Sequence, residues 1–209
     1  MKCVICNQRK GKRHCPAKNG LICARCCGEK RLVEIRCPAD CPYLADGVNY
    51  QSVKTYIGIL DWIEVPAQKR QFYETTMRYH EILVVLELEI VNYSQGLRTL
   101  TDHIILEAVE TLLRTYQTEE KGILYEHVSA NPLAQALVHD LQEAIQRQED
   151  DGTGWSRSGI IAALEAIKTQ IHYHRAKSGG ERPYLEFLLR NRPGDRVRSQ
   201  DESGIIISS

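Results

Sequence analysis

The chain has 209 residues, with 27 basic and 27 acidic side chains, 7 histidines and 8 cysteines. With 43% hydrophobic and 26% charged residues, a collagen-like or wholly disordered chain is excluded, and the length fits one or two globular domains. A net charge of zero excludes a protein that coats nucleic acid over its whole surface, because such proteins carry a large basic excess.

The N-terminus decides how the cysteines are read. All eight lie between Cys3 and Cys41. A secretory signal needs an apolar run of about 7 to 15 residues behind a basic start, whereas this chain reaches Cys3 at once and then turns basic from Arg9 to Arg13. The longest apolar stretch, Ile82 to Leu88, contains Glu87 and is followed by Glu89, far short of the roughly 20 residues a membrane helix needs. The expectation is a soluble, cytoplasmic protein whose thiols bind metal instead of forming disulfides.

From Cys3 the spacing is C-x2-C-x8-C-x7-C-x2-C-C-x9-C-x3-C, using Cys3, Cys6, Cys15, Cys23, Cys26, Cys27, Cys37 and Cys41. A C-x2-C turn directs both thiolates at one ion, about 2.3 Å away, while backbone N–H groups donate to the sulfurs. Adjacent Cys26 and Cys27 diverge and belong to different ions. The simplest allocation joins the two C-x2-C pairs, Cys3, Cys6, Cys23 and Cys26, and leaves Cys15, Cys27, Cys37 and Cys41 for a second site, giving two interlocked zinc ions. An iron–sulfur cluster would use the same thiolates. Eight thiolates on two ions leave no open position for catalysis, and His14 is the one neighbouring residue able to replace a ligand. So polar a segment buries little apolar surface, so metal binding must supply most of its folding free energy.

The first five ligands, Cys3 to Cys26, resemble the B-box zinc-binding domain, and their interleaving is similar to B-box and RING domains in general. B-boxes commonly continue with two histidines, where this chain has Cys27, Cys37 and Cys41. The resemblance covers about 40 residues and implies a structural zinc platform used for protein association. Residues 1–45 hold ten basic and three acidic side chains, formally +7, which eight thiolates and two zinc ions reduce to about +3. Arg9 to Arg13 and Gly28 to Arg31 are candidate phosphate contacts, or they offset the anionic clusters. Tyr43 is the one aromatic of this segment, so bases find little to stack upon.

Beyond Leu44 the pattern predicts helices. A short one ends at Val65 before Pro66, and one long helix follows from there towards Tyr93, with Gly96 as its stop. Thr101 caps a helix carrying Ile104, Ile105, Ala108, Leu112 and Leu113 on one face, stopped by Gly122. Asn131-Pro132 starts another, with Leu133, Leu137, Leu141 and Ile145 as its stripe. A link at residues 149–154 follows, and Ser158 caps a last long helix ending at Gly179-Gly180. A short helix, Pro183 to Leu189, completes the set. The fold class expected is mainly α: a small double-zinc cross-brace at residues 1–45, an antiparallel helical bundle at 46–190 and a polar tail at 191–209. Residues 46–174 hold 10 basic and 19 acidic side chains, either a solvated exterior or a negative face for a basic partner. Residues 175–198 return to +4, with Arg190, Arg192, Arg196 and Arg198 close together. The tail ends in three isoleucines, Ile205 to Ile207, which add to a partner as a strand, dock on the body, or are an untidy terminus.

Catalytic patterns are sparse. Arg98 and His103 form R-x4-H in a predicted helix, similar to HEPN ribonucleases, a likeness implying that the two act on a scissile phosphate; the alternative is two unrelated surface residues. His172 and His174 point about 200° apart on a helix and cannot share a metal. Tyr125-Glu126-His127 is the remaining acid/base candidate, set against a packed tyrosine with solvated neighbours. The leading expectation is a non-enzymatic interaction or regulatory adaptor with a protein partner and a helical body able to form homo-oligomers. The alternative is a DNA- or RNA-binding protein using the basic head and the Arg-rich C-terminal segment.

Overall fold

The computed structural model describes residues 1–31, 34–38, 40–150 and 154–191. The fold is mainly helical with one small two-stranded antiparallel sheet. In chain order the elements are β1 (Arg13–Cys15), β2 (Gly20–Ile22), α1 (Ala24–Lys30), α2 (Pro42–Trp62), α3 (Pro66–Arg78), α4 (His80–Tyr93), α5 (Asp102–Glu120), α6 (Pro132–Asp150), α7 (Arg157–Lys177) and α8 (Pro183–Asn191). Two compact units divide the chain: Met1–Thr55 together with Arg190–Ser209, and Tyr56–Leu189. The division falls inside α2, beyond residue 45. The Ile205 to Ile207 motif and Arg192, Arg196 and Arg198 lie outside the described residues.

In the N-terminal unit, β1 and β2 pair with His14 opposite Leu21. The turn between them is a 3-10 helix, Pro16–Lys18, closed by Asn19 in the left-handed region at φ 43°, a conformation that asparagine tolerates better than most residues. The hairpin and α1 were not foreseen: three-residue strands are too short to show alternation, and cysteines interrupt any apolar stripe.

In the helical unit α5 is the central element, packing on both α6 and α7, while α4 also contacts both and α3 lies against α7. The expected stripes face inward: Ile105, Leu112, Leu137, Leu141 and Ile145 are buried. Thr101 caps α5 through a bond from the Ile104 N–H, and Asn131 Oδ1 accepts the Leu133 N–H at 3.0 Å to start α6. Asp102, completely buried, accepts the N–H groups of Tyr184 (2.8 Å) and Leu185 (3.0 Å) and so caps α8 across 82 residues of chain.

Three expectations are corrected. The segment before Pro66 is the end of the 21-residue α2, since Pro42 at its start tolerates a helical first turn and no further proline comes before Pro66, Gly47 and Gly58 being tolerated within the helix. The helix expected from Pro66 to Tyr93 is two helices broken at Tyr79, whose φ of −115° and ψ of 29° leave the helical region. The cause is tertiary. The Tyr79 ring packs on α7 at Gly159, where a Cβ would come within 3.0 Å of it. Finally, α7 is capped by Ser156, whose Oγ accepts the Gly159 N–H at 3.1 Å, while Ser158 lies inside the helix.

Candidate metal centre

The chain reverses at Cys3–Asn7, where the Asn7 N–H donates to the Cys3 carbonyl at 2.8 Å and Asn7 takes a positive φ of 52°. The Val4 N–H donates to the Leu21 carbonyl at 3.0 Å, fastening this turn to β2. Only glycine permits the neighbouring approach at position 11, because a Cβ there would lie 2.7 Å from both the Leu21 carbonyl oxygen and its Cβ. Cys23 stands at the N-cap of α1 and Cys26 in its first turn, with the Cys26 N–H donating to Cys23 Sγ at 3.4 Å. Turn and helix start thus bring the two C-x2-C pairs together. The sulfurs of Cys3, Cys6, Cys23 and Cys26 all lie within 4.8 Å of one another, and Cys6 Sγ is 4.0 Å from Cys23 Sγ. A tetrahedral ion with bonds of about 2.3 Å has sulfur–sulfur edges of about 3.8 Å. The four residues are therefore close enough to hold one metal ion.

The electrostatics of this cluster are those of crowded thiols. Burial works against ionising Cys3, yet N–H groups of Cys6, Cys23 and Ile5 outweigh it and hold its pKa down to about 6. Cys6 is lowered by the Arg9 and Gln8 N–H groups. Cys26 is pushed up to about 12 by burial and then by the sulfurs of Cys23, Cys6 and Cys3. Four thiolates this close repel one another, and a divalent cation reverses that balance because a coordinating thiol is deprotonated outright.

The other four cysteines come from different elements. Cys15 ends β1, Cys27 lies on α1, and Cys37 and Cys41 flank a turn in which the Cys41 N–H donates to the Pro38 carbonyl at 3.1 Å. All four are buried and line one cavity of about 10 Å³, together with Ile22 and Ile35. No disulfide joins any of the eight cysteines, all of which are described. Among the described residues, the Cys3–Cys26 quartet is the one group of cysteine, histidine or carboxylate ligands gathered to metal-binding distance. His14 is exposed on β1.

The catalytic candidates are not assembled. Arg98 lies in the turn before α5, not in a helix, and both it and His103 are exposed. Arg98 is drawn out of the helix by the loop at Gly96, and its carbonyl accepts a bond from Arg182 Nη1 at 3.1 Å. Tyr125 is 60% exposed, so the packed member of its triplet is His127, held by Thr118 Oγ1 at 3.2 Å and by a backbone bond to Thr115 Oγ1. His172 is exposed and His174 half-buried. An open groove of about 760 Å³ in the helical unit is lined by Trp62, Phe72, Gln117, Glu165, Thr169 and His172 among others, a feature that no linear motif announced. Among the described residues, no helix is long and apolar enough to cross a membrane.

Comparison with protein-family models, with curated proteins and with solved structures finds no match.

Proposed function

We propose that this protein is a zinc-stabilised interaction or regulatory adaptor of the cytoplasm, non-enzymatic, whose N-terminal unit is a B-box-like platform and whose helical unit offers a second binding face. The observation that carries this reading is the gathering of Cys3, Cys6, Cys23 and Cys26 within 4.8 Å. Four sulfur donors favour zinc among the common divalent ions and fill its tetrahedron, so the ion shapes the chain and has no vacant position for substrate. A second zinc belongs to Cys15, Cys27, Cys37 and Cys41, supported by their burial around one small cavity. There, the four sulfurs, which are not gathered within 4.8 Å as the first four are, would draw together on the ion, and the adjacency of Cys26 and Cys27 would mechanically couple the two ions.

Native mass spectrometry of the full chain, purified without chelator, tests the metal reading: the expected mass increment is two zinc ions. Cys6→Ser should lower the first site's occupancy and Cys41→Ser the second's. Protein that refolds and stays folded with no bound metal would overturn the platform. The adaptor reading is tested separately by isolating native complexes and asking whether Cys6→Ser loses a partner that the wild type retains.

A further inference from the structure

The cations of the N-terminal unit are segregated. The first acidic residue of the chain is Glu29, and it is taken up by Arg25, with Nε to Oε1 at 2.6 Å; Glu34, past the end of α1, is paired with Lys30, the last residue of that helix. Arg25 has its pKa raised by Glu29 first and by Cys26 and Cys23 after it, and Lys30 is raised by Glu34 first, with Cys26 again contributing. The two basic side chains of α1 are therefore occupied by local carboxylates.

Lys2, Arg9, Lys10 and Lys12 are different. All four are exposed, and among the described residues none has a carboxylate partner. Lys2 and Lys10 form an antiparallel bridge, flanked by bonds from the Cys3 N–H to the Arg9 carbonyl (2.8 Å) and from the Gly11 N–H to the Met1 carbonyl (3.2 Å). That pattern makes the two lysines a non-hydrogen-bonded pair, the geometry with Cα atoms only about 4.5 Å apart and side chains nearest one another. Like charges directly opposite destabilise such a pair. The fold sets two lysine side chains opposite one another on one side of the bridge, with Lys12, two residues beyond Lys10, towards the same side.

We infer that this face, built on Lys2, Lys10 and Lys12, binds the phosphate backbone of nucleic acid without reading its sequence. The inference rests on the zinc-platform reading, which holds the Cys3–Asn7 turn and hence the Lys2–Lys10 pair, and it names the class of partner. Phosphates relieve the lysine repulsion and need only charge. An acidic protein would need apolar or aromatic anchors to bury, and the large apolar side chains exposed in this turn are Met1 and Val4. Tyr43, the one aromatic of residues 1–45, lies beneath the Arg13 guanidinium, 5.3 Å from ring centroid to Cζ, so that segment has no free ring for bases to stack upon.

The test uses the full-length, zinc-loaded protein and a fluorescein-labelled 20-base-pair duplex of mixed sequence, followed by anisotropy from 50 to 200 mM KCl. Three phosphate contacts give a log–log salt slope of about −2.7, hence a fall in affinity of roughly 40-fold across that range. The double substitution Lys2→Gln and Lys10→Gln should flatten the slope by about two, and poly-L-glutamate should compete poorly. No binding by zinc-loaded protein at 50 mM overturns the inference, as does an unchanged slope in the double variant or competition by poly-L-glutamate equal to that of unlabelled duplex. Zinc is measured in every sample. Should Lys2→Gln/Lys10→Gln lose metal, Lys12→Gln alone decides, with an expected flattening of about one and an unchanged slope counting against the face. Wild-type protein that takes up no zinc sinks the platform reading itself and this inference with it, whereas zinc-loaded protein that ignores DNA sinks only the latter.

Discussion

The buried set of the helical unit is hydrocarbon: Leu86, Ile90, Ile105, Leu112, Leu137, Leu141, Ile160 and Leu164 expose essentially nothing to solvent. Among the described residues of the N-terminal unit, the buried hydrophobic cluster is Cys3, Cys15, Cys23, Cys26, Cys27, Cys37 and Cys41 with Ile22, Ile35 and Leu44 beside them. Hydrocarbon burial needs no cofactor and tolerates small changes of shape. Neutral thiols bury as small hydrophobes, but thiolates repel one another, so in the zinc reading proposed above the cations supply the cohesion of the N-terminal unit. In that reading one chain holds two units whose stabilities answer to different agents, and the difference can be attacked from either side.

The largest expected effect is on the sulfur side. Structural zinc in small domains contributes about 10–16 kcal/mol of apparent binding free energy that doubles as folding free energy, so a strong chelator should unfold the N-terminal unit outright. Both tryptophans, Trp62 and Trp155, lie in the helical unit, so their fluorescence should hardly change while amide exchange across residues 1–31 becomes fast. If the tryptophan signal collapses together with the N-terminal amides, the two units do not stabilise independently.

On the hydrocarbon side the sharpest single point is Asp102. Its pKa is raised by burial first, with the N–H groups of Tyr184 and Leu185 opposing, so it is a buried acceptor held in place by α8. Replacing it with alanine leaves two buried donors unmet and should lower the stability of the helical unit by about 2–5 kcal/mol, read as a fall in the tryptophan-monitored denaturation midpoint. Zinc content should be unchanged. A stability loss within error of zero would mean that water replaces the carboxylate at the α8 cap.

Acid separates the units further. The His174 ring lies against Phe187 (centroids 4.5 Å), Tyr173 (5.3 Å) and Tyr184 (5.9 Å), and its buried Nε2 has no hydrogen-bond partner among the described residues. Burial lowers its pKa from 6.5 to about 4. The unfolded chain therefore takes up a proton that the folded one refuses, and His174's contribution to stability is complete above about pH 6.5 and is lost as pH falls towards 4. Thermal midpoints read from tryptophan emission at pH 7.5 and 5 should differ less in His174→Phe than in wild type. An identical acid shift in both proteins would exonerate this histidine.

How far the sequence foretold these features follows from the range of each interaction. The first thiol quartet was legible because two C-x2-C pairs carry their geometry in their spacing, and α5 and α6 were legible because cap and stripe sit within one element. The partition at Tyr79 was not, since it depends on a ring meeting Gly159 some 80 positions away, and no local propensity records that. The Asp102 cap of α8 was invisible for the same reason. The segregation of Lys2 and Lys10 from the carboxylates was hidden differently: the charges were countable, but the bridge that sets the two lysines opposite each other appears only when the Cys3–Asn7 turn is folded.

The smallest expected effect concerns two serines that local sequence could not rank. Ser156 and Ser158 both precede the apolar face of α7, and both are N-cap residue types. Their side chains even touch, at 3.3 Å between Oγ atoms. The choice is made by backbone geometry: Ser156 has the extended φ of −66° and ψ of 144° of a cap, and its Oγ meets the Gly159 N–H, while Ser158 has already entered the helix and its own N–H is one of those left over at the start. Ser156→Ala should therefore cost the helical unit about 1 kcal/mol, and Ser158→Ala a few tenths or less, since alanine is the better helix former there. Equal losses in the two variants, measured by urea denaturation of tryptophan emission, would mean that the cap is shared between the hydroxyls and that α7 begins two residues later in part of the population.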